Sequence, residues 1–446
     1  MVSDKIVAIT TANGYAGVGI VRISGYDLIN IIQIITKKKT LNPRFATYSN
    51  IYFENGEIID SAILLYFPGP NSFTGEDVLE IQTHGSPVVL QMILKLCIKL
   101  GCRLANPGEF SQRAYENGKL DLVQAESIID LIHAESEIAA KSAVRSLQGK
   151  FSNKITIIKN EMINLRMFVE ASLDFPEEDI EFILEAKIFE KLLNLKNQME
   201  DLLTNSKQGV LINNGINLVI IGRPNVGKST LLNTLANEEI AIVTDIAGTT
   251  RDIVKQKIII NGLLFNIIDT AGIRNTKDIV EQIGIEKAKD AIKNADLCLI
   301  IFDESVGMLE ADQDIINLLP YEMAKIYVHN KIDLISTENF IVDKDGSNVY
   351  ISAKLNLGIE KLRDIILNKV GYNNTIESDT YTARTRHINA INKTLEHIDS
   401  AFNKWQNLEI LAEELRYAHN KLSEITGEFT SDQLLGEIFS KFCIGK

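Results

Sequence analysis

Apolar positions change their period three times along the chain. From residue 1 to about 117 they fall in short β-branched runs between Gly, Pro and Asn turns. Lys5 to Thr10, Gly19 to Ser24, Ser61 to Phe67 and Asp77 to Thr83 predict strands, and Pro87 to Leu100 a helix, so this part reads as an α+β domain. From about 118 they recur at three- and four-residue spacing with almost no breakers, which predicts a long helical segment. FPEED around Pro176 interrupts it, and the helical period resumes until Gly209. Next, INLVIIG, LLFNIIDTAG, DLCLIIFD, KIYVHNKID and NVYISAK alternate with helical stretches such as KSTLLNTLANEE and GIEKLRDIILNKV. Such alternation builds a doubly wound, mostly parallel sheet whose ligands sit at the carboxyl ends of its strands. Asn261-Gly262 predicts a tight hairpin between the second and third strands of this block. After Val370 the helical period returns. The expected organisation is multidomain: an α+β part at 1–117, a helical domain at 118–210 that resumes at 371–446, and an α/β module at 211–370 inserted into it.

Composition narrows the setting. A chain of 446 residues exceeds what one core supports, and apolar and charged fractions of 45% and 24% are those of ordinary globular protein. A formal net charge of -13 excludes a chain that coats nucleic acid indiscriminately, so any RNA contact needs a local basic patch or a partner. Cys97, Cys102, Cys298 and Cys443 form neither a disulfide framework nor a paired zinc-site spacing, and a reducing compartment is expected. Met1 to Ile9 lacks the pattern of a targeting segment, and no run approaches eighteen apolar residues. A cytoplasmic location without a membrane span is the expectation.

The candidate chemistry lies in the inserted module. Gly222-Arg223-Pro224-Asn225-Val226-Gly227-Lys228-Ser229 satisfies the phosphate-loop pattern between a predicted strand and a predicted helix. Its glycines let successive amides face phosphate at a positive helix end, Lys228 neutralises β and γ charge, and the Ser229 hydroxyl ligates magnesium. Asp269-Thr270-Ala271-Gly272 closes a strand, where Asp269 suits magnesium through water and the Gly272 amide the γ-phosphate. Asn330-Lys331-x-Asp333 ends another strand, and a carboxylate at 333 accepts two hydrogen bonds from guanine that adenine does not supply. Ser352-Ala353-Lys354 follows a last strand and offers a backbone contact to the guanine oxygen. Together these four motifs, ordered and each at a strand end, specify a GTP site.

The constellation resembles the Ras-like GTPase superfamily, with Ile273 standing where Ras-type enzymes place a water-orienting glutamine. Ile246-Ala247-Gly248-Thr249-Thr250-Arg251-Asp252, the terminal Phe442-Cys443-Ile444-Gly445-Lys446, GVGIVRISG near the start and PGEFSQRAYENGKLDLVQAES after Asn106 make the resemblance narrower. The whole chain is similar to the TrmE family of tRNA uridine modification GTPases. Thr83 and Ser86 in QTHGSP depart from its glycines. The resemblance implies a potassium-stimulated homodimeric GTPase. It modifies the wobble uridine of tRNA at carbon 5, adding a carboxymethylaminomethyl or aminomethyl group. A 5-formyl- or methylene-tetrahydrofolate serves as one-carbon donor, and a flavin-dependent partner joins it in a heterotetramer or larger complex. It extends the GTP-contacting set to Thr230 and to Thr244, Asp245, Ile246, Ala247, Gly248, Thr249 and Thr250. It places potassium on Asn225, Thr244, Ile246 and Thr249, and magnesium on Ser229 and Thr250. It makes Glu281 the water-positioning residue, and assigns folate to Arg22, Glu80, Lys119 and Lys446 of an N-terminal folate-binding and dimerisation domain. A cation against the phosphates supplies the charge that an arginine finger supplies elsewhere.

Plainer readings stand beside these assignments. Asn225 suits a turn after Pro224, Glu281 suits the start of a helix, and the folate set suits solvated surface charge. CIGK has the length of a prenylation box but ends in Lys without an upstream basic run, which excludes lipidation; a mobile tail bearing Cys443 and a cation is expected instead. Two other functions share these motifs: a regulatory GTPase of ribosome assembly, which has no use for a folate domain, and a one-carbon transferase that turns over without hydrolysing GTP.

Overall fold

The structure is a computed structural model that describes residues 4–174, 181–236, 254–269, 292–293, 295–317, 319–335, 347–372, 380–428 and 432–445. It divides into two compact units, Met1–Ile129 with His419–Lys446, and Asp130–Ala418.

The first unit is built on a six-stranded mixed sheet. Its strands are β1 (Ile6–Ile9), β2 (Ala16–Gly25), β3 (Thr47–Tyr52), β4 (Ile58–Phe67), β5 (Asp77–Gly85) and β6 (Arg103–Leu104), in the order β3-β4-β5-β2-β1-β6. All neighbours are antiparallel except β1 and β6. Alternation along the strands divides the sheet into two faces. Val21, Ile23, Leu79 and Ile81 go into a core capped by α1 (Ile29–Thr36) and α2 (Pro87–Lys99), while Arg22 and Glu80, directly paired across β2 and β5, share the other face. The sequence reading left α1 and β3 unassigned, because LINIIQII is short, with only Asn30 and Gln33 to mark a polar side, and TYSNIY alternates only weakly. Burial of Ile31, Ile32, Ile35 and Ile51 against the sheet decides both. After α3 (Glu109–Glu116) and the start of α4 (Leu122–Ile132), the unit is completed by the C-terminal segment. There Ile438, Phe439 and Phe442 pack on Leu122 and Ala125. The tail is not free as expected: Ile444 bridges Pro107, and a Cβ on Gly445 would meet Ile9 O at 2.8 Å.

In the second unit the expected long helix is broken into α5 (Glu137–Leu147) and α6 (Lys150–Asp174). Ser136 Oγ caps α5 by accepting from Ala139 N, and Gly149, at φ 85, turns the chain between the two. The next helix, α7 (Glu181–Asn214), runs through Gly209 instead of ending there. A Cβ at 209 would overlap Tyr381 O, so this glycine serves a close approach of backbones and not a helix stop. In this unit α11 (Thr385–Asn403) and the part of α12 (Leu408–Thr426) up to Ala418 follow the inserted module, and α13 (Asp432–Ser440) belongs to the terminal segment.

The module itself comprises β7 (Ile216–Gly222), α8 (Lys228–Ala236), β8 (Val254–Ile260), β9 (Leu263–Asp269), β10 (Leu297–Asp303), α9 (Glu310–Asn317), β11 (Lys325–Asn330), β12 (Asn348–Tyr350) and α10 (Ile359–Lys369). Strand order is β12-β11-β10-β7-β9-β8, parallel except for the β8–β9 hairpin. Asn261 and Gly262 turn that hairpin at φ 47 and 79, as their pairing predicts. Both faces are covered: Ile216, Leu218 and Ile220 face one cluster, and Val219 and Ile221 the other, which explains the continuous apolar run from Leu218 to Ile221 in β7. Among the described residues no helix is long and apolar enough to cross a membrane.

Candidate nucleotide-binding site

Strand order reverses at β7, and the loops that follow β7, β11 and β12 leave the same edge of the parallel sheet, where ligands of such folds bind. Gly222 (φ 152), Asn225 (φ 62) and Gly227 (φ 100) give the phosphate loop its succession of positive φ angles. Asn tolerates the left-handed region better than other non-glycine residues, so backbone geometry alone accounts for an Asn at 225. A Cβ on Gly222 would overlap Ile301 O, and one on Gly227 would overlap Asn330 Nδ2. Val226 is buried beneath the loop, while Ser229 and Thr230 are exposed in the first turn of α8. The Lys228 ammonium holds the carbonyl oxygens of Gly222 and Arg223 at 2.8 and 2.7 Å, which keeps the cation at the loop.

Asn330 joins the Asn-Lys-x-Asp and Ser-Ala-Lys loops to the phosphate loop. Only 3% exposed, it donates through Nδ2 to Val226 O at 2.8 Å and accepts through Oδ1 from Ala353 N at 3.0 Å. A buried amide with both ends satisfied holds three loops in register. Asp333 is exposed just beyond β11, and its Oδ1 accepts from Ser352 Oγ at 2.6 Å, so the serine aims the carboxylate. Lys331, at φ 68, pairs with Asp303 Oδ2 at 2.6 Å, and Lys354 is exposed. Burial pushes the Asp303 carboxyl up, but Lys331 and Ser305 outweigh it and hold it below its ordinary value. Asp303 escaped the sequence reading, although it ends the apolar run of β10 as Asn330 ends that of β11.

Asp269 ends β9, with its side chain outside the described residues. Thr244, Asp245, Ile246, Ala247, Gly248, Thr249, Thr250, Thr270, Ala271, Gly272, Glu281 and Lys446 also lie outside them.

In the first unit Arg22 and Glu80 come together as an ion pair. Arg22 donates from Nε and Nη2 to Glu80 Oε1 at 3.0 and 2.8 Å, and its guanidinium lies 5.7 and 5.8 Å from the Phe73 and Phe110 rings. Both contacts go to one carboxylate oxygen, which fits Glu80 to receive a donor edge on the other. Lys119 follows α3, its amide bonded to Ala114 O. Cys443 is exposed and Cys97, Cys102 and Cys298 are buried; burial pushes the Cys102 and Cys298 thiols up to about 11 and about 12.

Comparison with known proteins matches two family descriptions, "MnmE helical domain" over residues 122–443 and "GTP-binding protein TrmE N-terminus" over residues 5–119. The "tRNA modification GTPase MnmE" of Chromobacterium violaceum is 49% identical over 442 residues, covering 99% of this chain and 98% of that protein. The protein of the same name from Francisella tularensis subsp. holarctica is 50% identical over 452 residues, covering 99% of each. Among solved structures, a variant of Aquifex aeolicus Era bound to GDP and aluminium fluoride matches at 29% identity and TM-score 0.29, covering 41% of this chain and 66% of that one.

Proposed function

Because the chain belongs to the MnmE family of tRNA modification GTPases, we propose that GTP hydrolysis at its phosphate loop drives the modification of the wobble uridine of tRNA at carbon 5. It is a GTPase involved in tRNA modification. The observation that carries the reading is Asn330, whose amide couples the phosphate loop at Val226 to the base-reading loop at Ala353, so that phosphate and guanine are gripped by one rigid frame.

The finer assignments follow from the resemblance and the chemistry of each residue. Ser229 and Thr250 would hold magnesium, and Asn225, Thr244, Ile246 and Thr249 would hold potassium, which would supply positive charge for phosphoryl transfer. Glu281 orients the attacking water, since Ile273 has no polar atom to do so. Arg22, Glu80, Lys119 and Lys446 bind a reduced folate: the free Glu80 oxygen suits an amino-pyrimidine edge, and the cations suit a glutamate tail. The protein acts as a cytoplasmic homodimer with a flavin-dependent partner on tRNA. Within the second unit, the GTPase module follows α7, which ends at Asn214, and extends to about residue 370. Hydrolysis measured in potassium and in sodium at equal ionic strength tests the cation assignment; equal rates remove it. Nucleoside analysis of tRNA from cells lacking the protein tests the substrate, since an unchanged wobble uridine excludes it.

A further inference from the structure

Arg223 stands inside the phosphate loop, but its side chain is engaged elsewhere. Its Nε donates to Asp312 Oδ1 at 2.9 Å and its Nη2 to Gly307 O at 3.4 Å. Asp312 lies in the first turn of α9, its side chain 1% exposed, and its second oxygen accepts from Leu309 N at 3.0 Å. A carboxylate so buried persists because a cation and an amide compensate it, and removing the cation leaves an unpaired charge. The backbone of the same Arg223 does something different: its carbonyl oxygen is one of the two that hold the Lys228 ammonium.

We propose that Arg223 and Asp312 are positioning residues for phosphate binding. The side-chain pair fixes where the Arg223 carbonyl stands, and that carbonyl fixes the ammonium of Lys228. The loop from Asp303 to Leu309 extends the link, because Asp303 holds Lys331 of the base-reading motif while Gly307 and Leu309 meet Arg223 and Asp312. The inference rests on the reading of Lys228 as the phosphate-binding lysine. A pair that merely ties α9 to the sheet lowers stability, but it has no reason to act on GDP through Lys228.

A double-mutant cycle on the full-length chain separates the two. GDP dissociation constants with magnesium are measured for the wild type, Arg223→Met, Lys228→Met and the double variant. Arg223→Met is expected to weaken GDP about tenfold or more, equivalent to at least about 1.4 kcal/mol. In the Lys228→Met background the same change is expected to cost no more than about twofold, because the lysine through which it acts is gone. Arg223→Lys, which retains a cation for Asp312, is expected to recover part of the loss, and preference for guanine over xanthine nucleotides is expected to stay unchanged. Wild-type GDP affinity in Arg223→Met, or a loss that multiplies undiminished in the Lys228→Met background, overturns the proposal. If Arg223→Met does not fold, Asp312→Asn takes its place in the cycle with the same expectations. If Lys228→Met itself binds GDP like the wild type, the phosphate-loop reading fails and the inference falls with it.

Discussion

Asp333 is the proposed guanine-reading carboxylate, and Ser352 is the group that orients it. The serine hydroxyl, buried and 2.6 Å from Asp333 Oδ1, orients a carboxylate that is otherwise open to water. Asp333→Asn replaces an acceptor by a donor, so preference is expected to move from guanosine toward xanthosine nucleotides; competition between GTP and XTP measures it, and unchanged selectivity removes the base-reading assignment. Ser352→Ala deletes the orienting bond together with the longer one that the hydroxyl accepts from Leu355 N at 3.3 Å. A single hydrogen bond of this kind contributes about 1 kcal/mol, so GTP affinity is expected to fall roughly fivefold with selectivity kept. Glu281→Ala is expected to bind GTP normally and hydrolyse it about a hundredfold more slowly. Near wild-type single-turnover hydrolysis in saturating potassium removes the water-positioning role from Glu281.

At the scale of elements, the interior of α7 carries information that its sequence hides. Gly209 reads as a terminator because glycine costs about 1 kcal/mol in a helix. The position is glycine because the chain at Tyr381 to Ala383 passes close against the helix, and a Cβ would also lie 3.0 Å from Ala383 N. Gly209→Ala is therefore expected to destabilise the second unit by about 1–3 kcal/mol, although alanine is the better helix former. Trp405, the single tryptophan, lies in that unit and reports its thermal unfolding by fluorescence. A raised midpoint in that variant shows that the crossing chain yields.

For the molecule as a whole, carboxyls held below their ordinary range make both units sensitive to acid. In the first, Arg113 contacts both oxygens of Glu76 at 3.1 and 3.0 Å and reaches Asp4 and Glu109 at 2.9 Å each. Arg103 joins Glu109 at 2.7 Å and Asp4 at 2.6 Å. The hydrogen bond from Arg103 holds the Asp4 carboxyl below its ordinary range. Burial pushes Glu109 up, but Arg103, the Asn106 amide and Arg113 together bring it below its own. Carboxyls depressed in the folded state stabilise it above their unfolded pKa, roughly 4, and that contribution is lost as pH falls through the lower folded values. Acidification below about pH 4 is thus expected to loosen this unit, and Arg103→Met to lower its stability at pH 7 while flattening the acid dependence. Hydrogen exchange at β1 and β2 across pH measures both, and an Arg103→Met profile parallel to the wild type counts against the network.

What was legible from the chain alone was chemistry carried by short, contiguous motifs. The phosphate loop, the Asn-Lys-x-Asp and Ser-Ala-Lys segments and the Asn-Gly hairpin each depend on a few neighbouring residues whose φ angles, charges and hydroxyls are local properties. Changes between helical and strand periods were legible too, since helix and strand bury apolar side chains at different spacings, but their positions were not: α7 runs on to Asn214, past the change read at 211. Pairings distant in sequence were not. Arg22 with Glu80 is 58 residues apart, Arg223 with Asp312 is 89, and Asn330 with Val226 is 104. Nothing in the local pattern says which distant partner compensates a buried charge or amide. The return of His419–Lys446 to the first unit was hidden for the same reason: an apolar face such as that of Ile438, Phe439 and Phe442 states that it must be covered, but only the folded chain supplies Leu122 and Ala125 as its cover.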